Sequence, residues 1–250
     1  NANIYVYTAS NGYSNTSMFK VKNSHPSSAK NQNAFKIKRL DFNNVNLVVD
    51  NQQRFKLFNF VVGQLKGKIN YADTGWNGKI DLETNVRSFA FNTKKGSFLK
   101  DKTIKGKLIA HYNEKSQEIT IDQEKLSIGG DEFYIGAKIS VAKEKSAFAI
   151  SVRADKILYK NISLLLAPNI STKLLKFAID EPIAVVGTIV DNGNKNATDP
   201  LINVKITVKN NTVSFPSGKL TECNFLGTFT NKDTVGKAIG DANSAIKFFA

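Results

Sequence analysis

Apolar residues recur at every second position over most of this chain, and few patterns restrict a fold more tightly. Successive side chains of a β-strand point to opposite faces, so period-two alternation defines a sheet with one greasy and one wet side. Trp76, Ile80, Leu82 and Val86 alternate with Asn77, Lys79, Asp81, Glu83, Asn85 and Arg87. Ile104, Leu108, Ala110 and Tyr112 stand against Lys105, Lys107 and His111. Ile119 and Ile121 follow, then Phe133, Ile135, Ala137, Ile139 and Val141, and then Phe148, Ile150, Val152 and Ala154. Ile202, Val204, Ile206 and Val208 repeat the pattern late in the chain. The spacing predicts a mainly β fold, an antiparallel sheet of about ten strands with a lysine-rich outer face.

Turn chemistry separates the runs. Asp73-Thr74-Gly75, Lys94-Lys95-Gly96, Asn113-Glu114-Lys115, Gly129-Gly130-Asp131 and Lys143-Glu144-Lys145 fall at short intervals, which suits hairpins rather than βαβ crossovers. The strands at Trp76–Phe91, Thr103–Asn113, Phe133–Ala142 and Ala147–Ala154 are therefore expected in one antiparallel meander. Residues 23–33, rich in Ser, Asn and Lys, read as a flexible surface loop, and Asn192 to Pro200 as a longer polar one.

Residues 156–180 change period. Ile157, Leu158, Ile162, Leu165 and Leu166 precede Pro168, and Ile170, Leu174, Leu175, Phe177 and Ala178 follow it at helical spacing. Two short helices are expected, the first ended by Pro168 and the second capped by Asn169 or Ser171. They would divide a β region over 1–155 from a second over 181–250 that continues the same sheet.

Composition narrows the partners. The 250 residues carry 35 Lys and Arg against 21 Asp and Glu, a formal charge of +14. Arginine is limited to Arg39, Arg54, Arg87 and Arg153, whereas readers of nucleic-acid sequence lean on arginine for bidentate contacts. The lysines are spread along strands (Lys66, Lys68; Lys105, Lys107; Lys205, Lys209), as expected of a wet sheet face, and no nucleic-acid partner is expected. Hydrophobic content of 41% is that of a globular chain. No apolar run approaches the roughly 20 residues of a membrane-spanning helix. Asn1 is not an initiator and Met18 is the sole methionine, so the chain reads as a mature product or an excised segment.

Residues with chemical potential are few. The single Cys223 excludes an intrachain disulfide and a thiolate zinc cluster. His25 sits in the Ser/Pro loop and His111 on the polar side of a strand, neither near a second ligand. Phosphate loops, nucleophile elbows and HExxH are missing from the sequence. Gly129-Gly130-Asp131 fits a tight turn needing positive φ, and Asp241 to Ser244 a turn before the last apolar strand rather than a calcium site. The N-x-S/T matches at Asn15, Asn161, Asn169, Asn196 and Asn210 follow from a composition rich in asparagine. Phe89 and Phe91 share the parity of Lys79 and Arg87, as a stacking platform would, but most of the aromatics align with the apolar parity, and a core or groove place is the stronger reading. The expectation is a non-catalytic protein without cofactor or metal.

Three stretches resemble the AsmA-like family of envelope proteins, relatives of TamB and of the chorein-type bridge-like lipid-transfer proteins. The first is Asn11-Gly12-Tyr13-Ser14-Asn15 with Phe19, Phe35-Lys36-Ile37, and Leu40-Asp41-Phe42-Asn43-Asn44-Val45 running to Asp50 and Lys56. The second is Phe89-Ala90-Phe91-Asn92, Lys95-Gly96-Ser97-Phe98-Leu99, Leu126-Ser127-Ile128 and Phe133-Tyr134-Ile135. The third is Cys223-Asn224-Phe225-Leu226-Gly227-Thr228-Phe229-Thr230-Asn231 with Asp241 to Ser244. The resemblance implies a long curved antiparallel sheet with a hydrophobic concave surface, a periplasmic β-groove of a Gram-negative envelope, anchored to the inner membrane through an N-terminal segment absent from this chain. It implies a part in phospholipid transport and outer-membrane maintenance, with inner and outer membrane proteins as further partners.

The residues themselves leave two readings open. An apolar sheet face must be covered, and two short helices bring too few large side chains to cover it. Either the face curves into a trough for phospholipid acyl chains, or the sheet closes into a sandwich that binds a protein or an envelope polymer. For the trough, the expected lipid-contacting residues are Ile80, Leu82, Ile104, Leu108, Ile135, Ile139, Ile150 and Val152.

Overall fold

The fold is given by a computed structural model that describes residues 1–17, 36–142, 147–192 and 199–250. The loop expected at 23–33, with His25, the Lys143-Glu144-Lys145 turn, and residues 193–198 lie outside the described residues. The elements are β1 (Ala2–Thr8), β2 (Arg39–Asn51), β3 (Lys56–Ala72), β4 (Gly75–Ala90), β5 (Lys102–Asn113), β6 (Glu118–Ile128), β7 (Asp131–Ser140) and β8 (Ala147–Ile157). After them come α1 (Tyr159–Ser163), α2 (Pro168–Leu174), β9 (Ala178–Ile179), β10 (Ile183–Val190), β11 (Leu201–Phe215), β12 (Gly218–Thr230) and β13 (Ala245–Phe249). All thirteen strands belong to one open sheet, in which β1 to β8 and then β10 to β13 follow in chain order and β9 pairs with β11. Pairing is antiparallel except between β1 and β2. The expected meander is present, with β6 as its middle strand.

Tight turns hold the meander in register. Gly129 and Gly130 alone link β6 to β7, at φ +61° and +99°, the left-handed conformations that a two-residue hairpin requires. Asp73 and Thr74 link β3 to β4 in the same number of residues.

Register keeps the apolar residues together from strand to strand. Ile80 opposes Leu108, Thr84 opposes Ile104, and Ile104 opposes Ile128. Ile139 opposes Ile119 and Phe148, while Ile135 opposes Val152 and Ala137 opposes Ile150. The same face then passes through Ile189 and Ile202 to Val204 and Phe229. One-residue register shifts would throw side chains to the wrong side, and they fall where the sequence parity itself changes. The shift beside Arg87 sets Val86 opposite Phe60 and Phe89 opposite Phe58. Phe89 and Phe91 therefore lie on the apolar face and not, as simple parity predicts, with Lys79 and Arg87; Phe91 is buried and Arg87 exposed. A shift between Ile121 and Glu124 likewise places Glu124 opposite Ile135.

The two helices exist with different limits from those expected. Lys156 and Ile157 still belong to β8, and Ala178 and Ile179 form β9, so the helical stretch is shorter than 156–180. α1 ends at Ser163, five positions before Pro168, which instead opens α2 at its first position, where a missing N–H costs nothing. Ala167 holds the N-cap place without a side-chain cap, so neither Asn169 nor Ser171 caps the helix. Tyr159 donates from its hydroxyl to the Leu174 carbonyl at 3.0 Å, tying the two helices together.

Together the helices cover one end of the apolar face. Tyr159 and Leu165 join Ile128, Phe133, Ala154, Ile157, Ile179, Ile183, Val185 and Val208 in the buried core, with Ile162 and Leu174 packed against it. Asn211, 2% exposed in β11, closes the same end by accepting from the Glu181 N–H at 2.9 Å and donating to the Glu181 carbonyl at 2.9 Å.

Leu174→Asp is expected to lower stability by about 2–4 kcal/mol in thermal or denaturant melts, because the carboxylate loses its water against the core. Asn211→Ala is expected to cost about 1–3 kcal/mol by stranding both Glu181 backbone groups.

Candidate functional site

Curvature turns the apolar face inward. Neighbouring strands lie about 4.8 Å apart, so β4 and β8, four steps distant, would be separated by about 19 Å in a flat sheet. Yet Phe91, directly after β4, stacks on Phe148 of β8 with ring centroids 5.6 Å apart. Lys56, the first residue of β3, sets its Nζ 5.7 Å from the centre of the same ring. Both rings belong to the apolar face, so that face is the concave one.

Six phenylalanines line the contact. Phe89 lies 5.3 Å from Phe58 and 6.2 Å from Phe60, Phe91 lies 4.9 Å from Phe89, and Phe98 lies 6.1 Å from Phe91. Tilted and edge-on pairs of this kind add to the burial of the rings themselves. The 91–101 connection carries the strap across the concave side. Leu99 donates its N–H to the Leu165 carbonyl at 2.8 Å, and Gly96 lies so close to Pro168 that a Cβ would sit 2.8 Å from the ring.

A polar clasp fastens the strap. Lys95 Nζ donates to Asp199 Oδ2 at 2.6 Å and to Asp241 Oδ1 at 3.1 Å. Asn92 Nδ2 donates to Asp199 Oδ1 at 3.2 Å, and Asn169 Nδ2 to Asp241 Oδ2 at 3.4 Å. Partial burial works hardest against the Lys95 charge, but the hydrogen bonds to Asp199 and Asp241, with their charges, outweigh it and hold the pKa above the ordinary lysine value. At Lys56, burial and then the Arg54 charge lower the pKa, with Asp191 opposing them.

The eight expected lipid-contacting residues share the concave face and are all half-buried. They divide into two groups. Ile104, Ile135 and Val152 pack against the helix-capped core, while Ile80, Leu82, Leu108, Ile139 and Ile150 lie outside that cluster. Parity along single strands does not reveal the aromatic seam, although Phe58 and Phe60 alternate as a core strand should. Pairing of Lys95 with Asp199 and Asp241, over a hundred positions away in sequence, carries no local signal at all.

On the outer face His111 is held between Asn77 Oδ1, 2.6 Å from Nδ1, and Asp122 Oδ2, 3.0 Å from Nε2. It borders a polar cavity of about 370 Å³ at the tips of the β3–β4 and β5–β6 hairpins, lined also by Asn77, Glu118 and Thr120. Among the described residues no three His, Cys, Asp or Glu side chains are grouped to hold a metal, and no helix is long and apolar enough to cross a membrane. The fold and site define an open, coiled β-sheet with an apolar concave face. No family model, curated protein or solved structure matches the chain.

Phe91→Ala is expected to destabilise by about 3–5 kcal/mol and to raise amide exchange across 91–101, since it removes the ring that bridges both halves. The contribution of Lys95 should be complete below the unfolded lysine value of 10.5 and fade as pH climbs through its raised folded pKa. A Lys95→Met variant should lose that alkaline dependence while keeping its fold at neutral pH.

Proposed function

We propose that this chain is a non-catalytic lipid-handling β-groove of the AsmA-like kind, whose concave face holds phospholipid acyl chains. The observation that carries this reading is the group Ile80, Leu82, Leu108, Ile139 and Ile150. These side chains lie on the inside of the curve, half-buried, yet outside the core that the helices complete. Acyl chains supply the undirected apolar cover that such a surface needs. By the sequence resemblance, the setting is the periplasm, the process is phospholipid transport and outer-membrane maintenance, and inner and outer membrane proteins are partners.

An interaction module is the second reading. The edge strand β13 favours it, because Ile246, Phe248 and Phe249 are 53%, 66% and 53% exposed, and among the described residues its outer edge pairs with no strand, so a partner strand could extend the sheet there.

Photo-crosslinkers placed at the eight inward positions and at Lys105 and Lys107 test the groove against labelled phospholipid. Crosslinks are expected from inward positions alone, strongest at Ile80, Leu82, Leu108, Ile139 and Ile150. Equal labelling from outside, or none, defeats the groove. Leu108→Glu and Ile139→Lys are expected to abolish phospholipid co-purification seen by native mass spectrometry, with circular dichroism confirming the fold. Swaps among Leu, Ile and Val should preserve it.

A further inference from the structure

We infer that the outer side of the α1–α2 cap is a docking surface for an anionic lipid bilayer. One side of this cap packs on the core through Tyr159, Ile162, Leu165 and Leu174, and Asn161, Pro168 and Asn169 make further contacts to the sheet and the strap. The other side leaves large apolar side chains in water, with Leu158 43%, Leu164 42%, Leu175 43% and Phe177 46% exposed. Interleaved with them are Lys156, Lys160, Lys173 and Lys176, all exposed. Between Asp155 and Asp180 the sequence contains no acidic residue, so this stretch carries four positive charges and no negative one.

Some lysines elsewhere are neutralised by a neighbouring carboxylate. Lys105 meets Glu83 at 2.9 Å, Lys125 meets Glu132 at 2.6 Å, and Lys247 meets Asp233 at 2.6 Å. Neither the three lysines of the cap nor Lys156 at the end of β8 forms an ion pair among the described residues. A lysine face on a sheet needs only water, but exposed leucine and phenylalanine next to unneutralised lysine match the layered chemistry of a membrane interface. There the ammonium groups meet lipid phosphates while the apolar side chains enter the acyl boundary. An acidic protein would satisfy the lysines and leave the four apolar side chains without a reason. The surface stands on residues separate from the groove, and either can fail without the other.

The test is co-sedimentation of the chain with vesicles of phosphatidylcholine alone and of phosphatidylcholine mixed with phosphatidylglycerol, at low and high salt. Binding is expected to the mixed vesicles and to weaken with salt. Each cap lysine near the surface is worth about fivefold in partitioning. The triple variant Lys160→Gln, Lys173→Gln, Lys176→Gln should thus lower binding by about a hundredfold. Leu164→Ser, Leu175→Ser, Phe177→Ser should lower it more than tenfold while leaving the charge unchanged. Lys105→Gln, Lys107→Gln on the convex sheet should change it less than twofold, and melting curves should show every variant folded. The proposal is overturned if the wild-type chain ignores mixed vesicles, or if the convex-face variant loses as much binding as the cap variants. It is overturned equally if the apolar triple leaves vesicle binding intact but abolishes self-association seen by size-exclusion chromatography, which would make the cap a contact between copies.

Discussion

Burial of one continuous apolar face is the constraint on which the remainder of this structure depends. A single layer has no second sheet to cover that face, and each large apolar side chain left in water forgoes about 1.5–3 kcal/mol. Three devices share the burden. Sheet coiling brings Phe91 onto Phe148, the strap over 91–101 lies across the inside, and the helix pair closes the end around Phe133, Ile157 and Ile183. The coil is held by side chains and not by a closed ladder, because β1 and β13 remain the ends of an open sheet.

That arrangement accounts for the mixture of greasy and ionic contacts at the seam. Rings give area without direction, so Phe58, Phe89, Phe91 and Phe98 fix closeness but not register. The clasp supplies direction. Lys95 answers two carboxylates from separate connections, Asp199 ahead of β11 and Asp241 ahead of β13, and the strap cannot slide without losing one of them. Half-exposed ion pairs contribute little stability singly, so their role here is to choose one closed geometry among several greasy ones.

Function, on this reading, follows from what the three devices leave uncovered. The core end of the concave face is satisfied by protein, and the stretch of Ile80, Leu82, Leu108, Ile139 and Ile150 is satisfied less fully. The proposed acyl chains would complete the cover. At the capped end, the helices that satisfy the core on one side expose lysine and leucine on the other, and the proposed bilayer contact uses that remainder.

Alternation along Trp76–Val86, Ile104–Tyr112 and Phe148–Ala154 was enough by itself to determine a β protein, antiparallel neighbours, hairpin turns at Gly129-Gly130 and which residues share a face. Parity is a local property, so a short window of sequence carries it. Where a bulge intervenes, the local signal misleads. Ala154 and Ile157 lie three apart, as on a helix, yet both remain on one strand face because the β8–β10 register slips between Ile183 and Val185. The same spacing separates Val86 and Phe89, so simple parity puts Phe89 with Arg87 although it lies on the face of Val86. Pro168 marked a helix boundary correctly in place but not in kind, since a proline can open a helix as well as end one. Only the tertiary structure decided the curl of the sheet, the aromatic seam and the pairing of Lys95 with Asp199 and Asp241. The Phe91–Phe148 contact and the two Lys95 ion pairs join residues from 57 to 146 positions apart (148 − 91 and 241 − 95), and their energy exists only once the whole face has folded around them.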